Sequence, residues 1–314
     1  MKTKRVGILV GGISAEREVS LRTGDAIHTA LAERGYQVSK VLVDRDLDLT
    51  LRKTPIDVAF LALHGTYGED GCVQGLLELR GIPYTGSSVM ASAVAMDKLK
   101  SKQLFRLYNV PTPPYYAVSA DQLDELEELH GSFGFPVFVK PRSQGSSVGA
   151  GKATDLAELR ARCQEALRHD AFALIERFVA GREMTVAVLD GRALGAIEIV
   201  PKGGFYDYQS KYTAGQSEYI YPARLTPTRY KNVLALAEKA AQALEVSGAV
   251  RVDFLVTEGE NEYVLEVNTL PGMTPTSLLP KISAAAGYDF GALCEAILAR
   301  AKLHQRRPED VQSG

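Results

Sequence analysis

The sequence predicts an α/β fold with more than one domain, and three features indicate it. Strand-like and helix-like segments alternate over the first 87 residues, the chain has 314 residues, and 46% of them are hydrophobic. Such alternation is typical of a parallel sheet with helices packed on it. A chain of this length exceeds the usual size of one domain and can bury a large core.

The first unit, residues 1–87, begins with a strand over 5–10 and a glycine-rich turn. A helix follows, because apolar residues recur at helical spacing after the turn. Strands are then expected over 37–43 and 58–63, so this βαβ rhythm predicts a parallel sheet. The apolar stripe of the helix consists of Val19, Thr23, Ala26, Ile27, Ala30 and Leu31.

Two further units are expected, a central one over 88–183 and a C-terminal one over 184–314. The stretch 201–221 is polar and aromatic without strand or helix periodicity, and loops of this length inside a compact protein are usually functional. The other expected elements are helices over 88–108, 120–130, 155–168 and 227–244, and strands over 115–118, 137–140, 173–178, 184–189 and 193–200.

A predicted hairpin near the C-terminus carries two carboxylates and an amide. Side chains alternate along a strand, so Arg251 and Asp253 share one face of the first strand, and Glu266 and Asn268 share one face of the second. The four polar side chains are therefore expected on one face of the hairpin. The opposite face is expected to carry Val252, Phe254, Leu265 and Val267.

The register of this hairpin follows from its turn. If residues 258–261 form the turn, Val256 pairs with Tyr263, and the same register places Asp253 opposite Glu266. Like charges directly opposite each other cost about 0.2–1 kcal/mol unless a cation lies between them.

A cation between these acids points to a metal site. Oxygen ligands from Asp, Glu and Asn suit Mg²⁺ or Mn²⁺, and Mg²⁺ held by few carboxylates usually also binds substrate phosphates. The alternative is an ordinary polar face on which Arg251 neutralises both acids.

A glycine- and serine-rich loop in residues 139–151 follows a strand that ends near Lys140. Backbone N–H groups in such a loop can bind phosphate, and a lysine at the strand end adds positive charge. The segment is not a P-loop, because Ala153 follows Lys152 and Ser146 occupies the first glycine position. The first turn of the chain does not complete the dinucleotide-binding GxGxxG motif. The alternative for this loop is a flexible hairpin.

Composition excludes several classes of function. A net charge of −2 argues against binding nucleic acid or a membrane surface through electrostatics. The three cysteines are scattered, which fits a reducing compartment and neither a disulfide framework nor a zinc site. The apolar run near the N-terminus is too short for a signal peptide, and no stretch approaches the ~20 apolar residues of a membrane span. We therefore expect a soluble, cytoplasmic protein that acts on small molecules.

Seven groups of motifs occur in a fixed order along nearly the whole chain. They are 11–20, 63–65 with 68–71, 83–87, 96–98, 140–149, 205–208 with 211–212, and 266–274. In this order they resemble the D-alanine:D-alanine ligase family of the ATP-grasp superfamily. The resemblance implies a three-domain architecture whose ATP-grasp part is α+β. It also implies ATP-dependent ligation of two D-alanines through an acyl phosphate for peptidoglycan precursor synthesis, and a homodimer.

The resemblance also implies a nucleotide site with two Mg²⁺ ions. Taken alone, the strand ending at 174–179 says little, since such strand ends occur in many domains. The residues implied to contact phosphates are Lys98 and Lys140, and Ser146, Ser147 and Lys211 are implied to be further nucleotide-binding residues. Those implied to line the adenine pocket are Glu176, Phe178 and Val179, and Glu183 is implied to bind ribose. The implied metal ligands are Asp253, Glu266 and Asn268.

For the first D-alanine, the resemblance implies that Glu16 binds the ammonium and forms a hydrogen-bonded triad with Ser146 and Tyr212. The alternative for Glu16 is an acid that compensates the dipole of the first helix. His64 is expected either near the first substrate or in a structural role at a strand end.

For the second step, Arg251 and the backbone N–H of Gly272 are implied to form an oxyanion hole, and Ser277 to bind the second carboxylate. Family members that use D-lactate tend to lack the loop tyrosine, so Tyr212 favours D-alanine as nucleophile. Phe178 and Leu270 stand where some relatives carry tryptophan and serine. The alternatives are a related ATP-grasp ligase, such as one using D-lactate, or a nucleotide-binding regulatory protein without catalysis.

Overall fold

The computed structural model describes residues 1–145, 148–201, 216–259, 261–275 and 277–305. Within them the strands form three sheets, of three, four and five strands. The first sheet is parallel and the other two are antiparallel, which confirms the predicted α/β class with α+β character after the first unit.

The parallel sheet has the strand order β2-β1-β3. Parallel neighbours need crossover connections, and helices provide them. The predicted stripe of α1 packs on the sheet, with Val19, Ile27 and Leu31 buried. The elements are β1 (Arg5–Gly11), α1 (Arg17–Glu33), β2 (Gln37–Val43), α2 (Leu47–Lys53), β3 (Val58–Leu61) and α3 (Cys72–Arg80).

The predicted helix over 88–108 is two helices, α4 (Val89–Met96) and α5 (Lys98–Leu107). Asp97 separates them with extended backbone, and its carboxylate accepts a hydrogen bond from the N–H of Lys100. Aspartate caps helices well because its oxygen satisfies an N–H group of the first turn that has no partner within the helix. The single continuous helix was therefore wrong, and the break makes Lys98 the first residue of α5.

The second sheet has the order β4-β7-β5-β6. The helix expected over 120–130 was only partly right, because residues 120–122 form a 3₁₀ turn and the α-helix is confined to Leu126–His130. The sequence did not indicate the short strand β6. The elements are β4 (Tyr115–Ser119), α6 (Leu126–His130), β5 (Val137–Pro141), β6 (Gly151–Ala153), α7 (Leu156–Leu167) and β7 (Phe172–Arg177).

The third sheet has the order β10-β9-β8-β11-β12. One of its faces packs against a helix whose buried positions include Val233, Ala237 and Ala240. The elements are β8 (Arg182–Leu189), β9 (Arg192–Pro201), β10 (Ser217–Ile220), α8 (Pro227–Ala243), β11 (Ala249–Val256), β12 (Glu262–Asn268), α9 (Leu278–Ala285) and α10 (Phe290–Leu298).

The predicted hairpin is β11 and β12, and its register is right at one end only. Asp253 pairs with Glu266 as predicted, and Arg251 pairs with Asn268. The pairing of Val256 with Tyr263 was wrong, because Val256 pairs with Glu262 and Leu255 pairs with Tyr263.

The difference comes from a β-bulge. The register shifts between Asp253 and Phe254, where Phe254 pairs with Val264 while Asp253 pairs with Glu266. Leu265 is therefore an extra residue, and a bulge of this kind redirects side chains. Leu265 is only partly buried, whereas Phe254 is fully buried, so placing Leu265 on the apolar face was wrong.

One hydrophobic cluster joins the first and third sheets. Ile8 of β1 and Ile27 of α1 belong to the same buried cluster as Ile197 of β9 and Ile282 of α9. Because these residues share one core, the parallel sheet is held against the third sheet. The helices of the described residues include none with the length and apolar character needed to cross a membrane.

Gly24→Ala tests how closely α1 packs on β1. A β-carbon at Gly24 would lie 2.1 Å from Cγ1 of Val10, whereas one at Gly75 in α3 would approach Val89 no closer than 4.0 Å. We expect Gly24→Ala to lower the free energy of unfolding by about 1–3 kcal/mol through overpacking. The matched Gly75→Ala should be neutral or stabilising, since alanine favours helices. Urea unfolding measures both, and equal effects would contradict the close packing.

Candidate active site

A cavity of about 390 Å³ lies between the second and third sheets. Strands β5 and β7 contribute one side, and β8, β9, β11 and β12 contribute the other. Residues 178–181 connect β7 of the second sheet to β8 of the third sheet, and they also line the cavity. The cavity therefore occupies the position where two antiparallel sheets can enclose a ligand.

The cavity walls combine apolar side chains with charges. Phe138 of β5, Met184 of β8 and Leu265 of β12 provide apolar surface. Phe178 lies at the connection between the sheets, with Nζ of Lys152 4.2 Å above its ring. Ligand pockets commonly have this composition, in which apolar walls hold a ring and a few polar groups orient it. The predicted nucleotide residues that line it are Lys98, Lys140, Glu176, Phe178, Val179 and Glu183.

Glu176 lies in an ion cluster inside this wall. Its Oε1 is 2.7 Å from Nζ of Lys102 and 2.9 Å from Nζ of Lys140. Burial acts to raise the pKa of Glu176, but the two ammonium charges outweigh it and hold that pKa below its usual value. The carboxylate therefore remains ionised inside the protein.

The predicted metal ligands lie together at one end of the cavity. Oδ1 of Asp253 accepts hydrogen bonds from Thr185 at 2.5 Å and from Nε of Arg251 at 2.8 Å. Its Oδ2 accepts from Nη2 of Arg251 at 2.8 Å and from Nδ2 of Asn268 at 3.1 Å. Arg251 neutralises Asp253, and both the metal site and the alternative of a polar face neutralised by Arg251 remain predictions. Glu266 has a different cation, Lys98.

Lys98 links the metal-ligand end of the cavity to the glycine- and serine-rich loop. Its Nζ is 3.6 Å from Oε2 of Glu266 and donates a hydrogen bond to the backbone oxygen of Gln144 at 2.7 Å. The start of α5 is fixed by the backbone bond from Lys98 to the carbonyl of Arg142, while Arg142 pairs with Asp97. Lys98 is thus well placed to meet phosphate oxygens.

Glu16 lies at the start of α1 and reaches toward the same loop. A β-carbon added at Gly65 or at Gly145 would each lie 3.4 Å from its Oε2. The Glu16 side chain gives α1 no capping hydrogen bond. Binding of the first substrate and compensation of the dipole of α1 both remain predictions for Glu16.

His64 follows β3 and is buried. Its backbone oxygen accepts a hydrogen bond from Oγ of Ser14 at 2.7 Å. Burial lowers the pKa of the imidazole, and the charge of Glu16 opposes that shift. In the part of the chain that the structure describes, Nε2 of His64 is buried without a hydrogen-bond partner. The side chain therefore keeps a neutral ring beside Glu16.

Glu69 belongs to the motif at residues 68–71, but the sequence did not predict a role for it. Its Oε2 accepts from the N–H of Gly65 at 2.7 Å, and its Oε1 accepts from the N–H of Leu270 at 3.4 Å. It therefore connects the loop after β3 with the loop after β12. Burial and the nearby charge of Glu16 raise the pKa of Glu69 to about 7.

Gly272 and Ser277 lie close together beyond β12. A β-carbon on Gly272 would lie 2.9 Å from Oγ of Ser277, so a larger residue would displace that hydroxyl. The hydroxyl accepts from the N–H of Thr274 at 3.0 Å. The two residues, for which separate roles in the second step were predicted, are therefore neighbours, and those roles remain predictions. Ser146, Ser147, Lys211 and Tyr212 lie outside the described residues, so the triad and the lid remain predictions.

Two protein-family models match this chain. A family model described as D-ala D-ala ligase C-terminus matches residues 104–299, and one described as D-ala D-ala ligase N-terminus matches residues 46–87. The chain belongs to the D-alanine–D-alanine ligase family. This confirms the resemblance read from the ordered motifs.

Individual relatives agree with this family. A D-alanine–D-alanine ligase of Geotalea uraniireducens (strain Rf4) is 52% identical over 303 residues, covering 96% of this chain and 97% of the relative. The crystal structure of the Bacillus anthracis family member complexed with ATP has a TM-score of 0.81 and 35% identity over 94% of this chain and 96% of its own. The VanG D-Ala:D-Ser ligase of Enterococcus faecalis has a TM-score of 0.83 and 28% identity over 94% and 98%.

Lys102 was missed although the sequence contains a signal for it. On α5 the buried positions are Lys98, Ser101, Lys102 and Phe105, which follow the i, i+3, i+4, i+7 spacing of a buried face. Two lysines on such a face are unusual, because lysine is almost never fully buried unless it is paired. That pattern points to a buried anion, which is Glu176.

Glu69→Gln tests the environment of Glu69 through pH. The folded-state pKa of about 7 exceeds the ordinary 4.5, so the stabilising contribution is present below pH 4.5 and is lost as pH rises through about 7. We expect wild type to lose about 1–3 kcal/mol of unfolding free energy relative to Glu69→Gln between pH 5 and pH 8.

Urea unfolding at several pH values measures this difference. Glu18→Gln is the control, because the side chain of Glu18 is 76% exposed, and its curve should follow wild type. Parallel stability curves for wild type and Glu69→Gln would show that Glu69 is not in a perturbed environment.

Proposed function

We propose that the protein joins two molecules of D-alanine into D-alanyl-D-alanine at the expense of ATP, through an acyl phosphate. The observation that carries the proposal is the arrangement at one end of the cavity, where Asp253 and Glu266 oppose each other beside Lys98. Opposed carboxylates beside a lysine suit a metal-bound polyphosphate, and they lie in a chain 52% identical to a D-alanine–D-alanine ligase, which supports the proposal.

ATP is proposed to lie along the cavity with its base between the sheets. Phe178, Val179 and Met184 offer apolar surface for the ring, and Glu183, which also lines the cavity, is proposed to bind the ribose hydroxyls. Lys98 and Lys140 then face the phosphates. A family member from Bacillus anthracis has been crystallised with ATP, which supports this assignment.

Two Mg²⁺ ions, or Mn²⁺, fit the donor set at the end of the cavity. Asp253 and Glu266 face each other across the hairpin. Arg251 is the cationic neighbour of Asp253, and Lys98 is that of Glu266. An oxygen donor set with two carboxylates and the amide of Asn268 suits a hard cation that shares phosphate ligands. Bound Mg²⁺ would neutralise charge on the phosphates during transfer.

In the first step, the carboxylate of one D-alanine attacks the γ-phosphate and ADP leaves. The chain contributes mainly by positioning the groups and neutralising charge, as is general for phosphoryl transfer. Glu16 is proposed to hold the ammonium of this D-alanine, with His64 as a neutral neighbour. The loop containing Tyr212 is proposed to close with Ser146 and keep water from the acyl phosphate.

In the second step, the amine of the other D-alanine attacks the acyl phosphate and inorganic phosphate leaves. The tetrahedral intermediate carries an oxyanion that needs hydrogen-bond donors. Arg251 and the N–H of Gly272 are proposed to supply them, and Ser277 to bind the second carboxylate. Ser146, Ser147 and Lys211 are proposed to complete the phosphate contacts.

The cellular role follows from the product. D-Alanyl-D-alanine would serve peptidoglycan precursor synthesis in the cytoplasm, and the protein is proposed to act as a homodimer. With the proposed division into domains at residues 87 and 183, Glu16 and His64 belong to the first unit and the nucleotide cavity is formed mainly by the other two.

The second candidate function is a ligase with a different nucleophile. The structure is similar to a D-Ala:D-Ser ligase at 28% identity, lower than the 52% identity to a D-alanine–D-alanine ligase. Tyr212 also favours D-alanine over D-lactate. D-Alanine is therefore the preferred second substrate.

The deciding experiment measures phosphate release from Mg-ATP with D-alanine, with L-alanine, and with D-alanine plus D-serine or D-lactate. Products are identified by mass. We expect D-alanine alone to release phosphate with one dipeptide per phosphate. Release that yields only a mixed product would assign the alternative nucleophile, and no D-alanine-dependent release would refute the proposed ligase.

Arg251→Ala tests the second step. We expect turnover to fall by about 10²–10³, because the reaction loses one donor to the oxyanion. Arg251→Ala also leaves Asp253 without its counter-ion, so we expect a lower thermal midpoint, and turnover is compared at a temperature where both proteins are folded. Arg52→Ala is the control, because the Arg52 side chain is 63% exposed and lies on α2 of the first unit. Undiminished turnover in Arg251→Ala would exclude its assigned role.

A further inference from the structure

Two lysines share one oxygen of Glu176, and they differ in their access to the cavity. The side chain of Lys140 is 12% exposed and lines the cavity, whereas that of Lys102 is 0% exposed and does not line it. Lys102 also donates a hydrogen bond to Oγ1 of Thr112 at 2.5 Å. Lys102 is therefore fixed behind the wall, and Lys140 stands at its surface.

The cluster carries one more positive than negative charge. A buried carboxylate that loses its only cation is strongly destabilised, because a charge is left unpaired at low dielectric. With Lys102 in place, Glu176 keeps a partner at 2.7 Å whether or not Lys140 remains beside it. Because Lys102 neutralises Glu176, Lys140 can move away from Glu176 without leaving a buried carboxylate unpaired.

Burying the charged Lys102 behind the cavity wall is unfavourable in free energy. Burial lowers the pKa of Lys102 to about 8, with the charge of Glu176 opposing that shift. A cost of this kind is unusual for a purely structural position, since an apolar side chain of similar volume often packs as well as a buried ion pair.

We propose that Lys102 is a positioning residue of the nucleotide site: it serves as the permanent counter-ion of Glu176 and so releases Lys140 to bind the phosphates of ATP. The inference rests on the proposed function, because it takes ATP as the ligand and Lys140 as a phosphate contact. It adds a residue that touches no ligand and acts through Glu176.

The test compares how strongly the phosphates contribute to binding. Dissociation constants are measured for ATP with Mg²⁺ and for adenosine, without D-alanine, and their ratio is the readout. In Lys102→Met, Lys140 becomes the only cation that the described residues place beside Glu176, and it is withheld from phosphate. We expect the adenosine-to-ATP ratio of dissociation constants to fall by about tenfold or more.

Two further variants make the result specific. Lys100→Met is the matched control, because Lys100 lies exposed on the same helix, and its ratio should equal that of wild type. In Lys102→Met with Glu176→Gln, the carboxylate that pairs with Lys140 is removed, so we expect the ratio to return to the wild-type value or above. This double variant also tests the proposal if Lys102→Met alone fails to fold.

The outcomes are distinguishable from a failure of the proposed function. If wild type binds ATP but Lys102→Met keeps the wild-type ratio, or if the double variant does not restore it, the inference is refuted. A loss of thermal stability with an unchanged ratio would show a structural role for Lys102 and would also refute it. If wild type does not bind ATP at all, the proposed function itself has failed.

Discussion

The site depends on holding three acidic side chains in one cleft before any ligand is present. Asp253, Glu266 and Glu176 lie on strands that face the cavity, and unpaired carboxylates there would be too costly to bury. Each has a cation within 4 Å in the described structure: Arg251, Lys98, and the pair Lys102 and Lys140. Charge balance therefore fixes the cleft, and the same cations are the groups that a polyphosphate or an oxyanion would recruit.

The bulge in β12 gives this cleft its shape. With regular alternation Leu265 would have pointed into the core beneath the sheet, away from Glu266. The extra residue instead brings Leu265 and Glu266 to the cavity side in succession. An apolar surface for a ring and a carboxylate for a cation are thereby placed one residue apart, which joins the two halves of the cavity on a single strand.

Local patterns in the sequence were sufficient for the parallel sheet, most strand positions and the opposition of Asp253 to Glu266. Periodicity could not show the bulge, because an alternating pattern carries no mark of one inserted residue. It also treated 88–108 as one helix, since Asp97 is tolerated inside helices and only its capping geometry ends α4. Local patterns also could not identify the partners of buried charges. Lys102 and Glu176, for example, are far apart in sequence and meet only after the sheet forms.

The break at Asp97 has a role in the site as well as in the fold. Because α5 begins at Lys98, that lysine lies in its first turn, and Lys102 follows one turn later on the same buried face. The two lysines reach different acids, Glu266 on β12 and Glu176 on β7, so one short helix neutralises both sides of the cleft. Arg142 pairs with Asp97 and its carbonyl accepts the N–H of Lys98, which fixes the start of α5 to the end of β5.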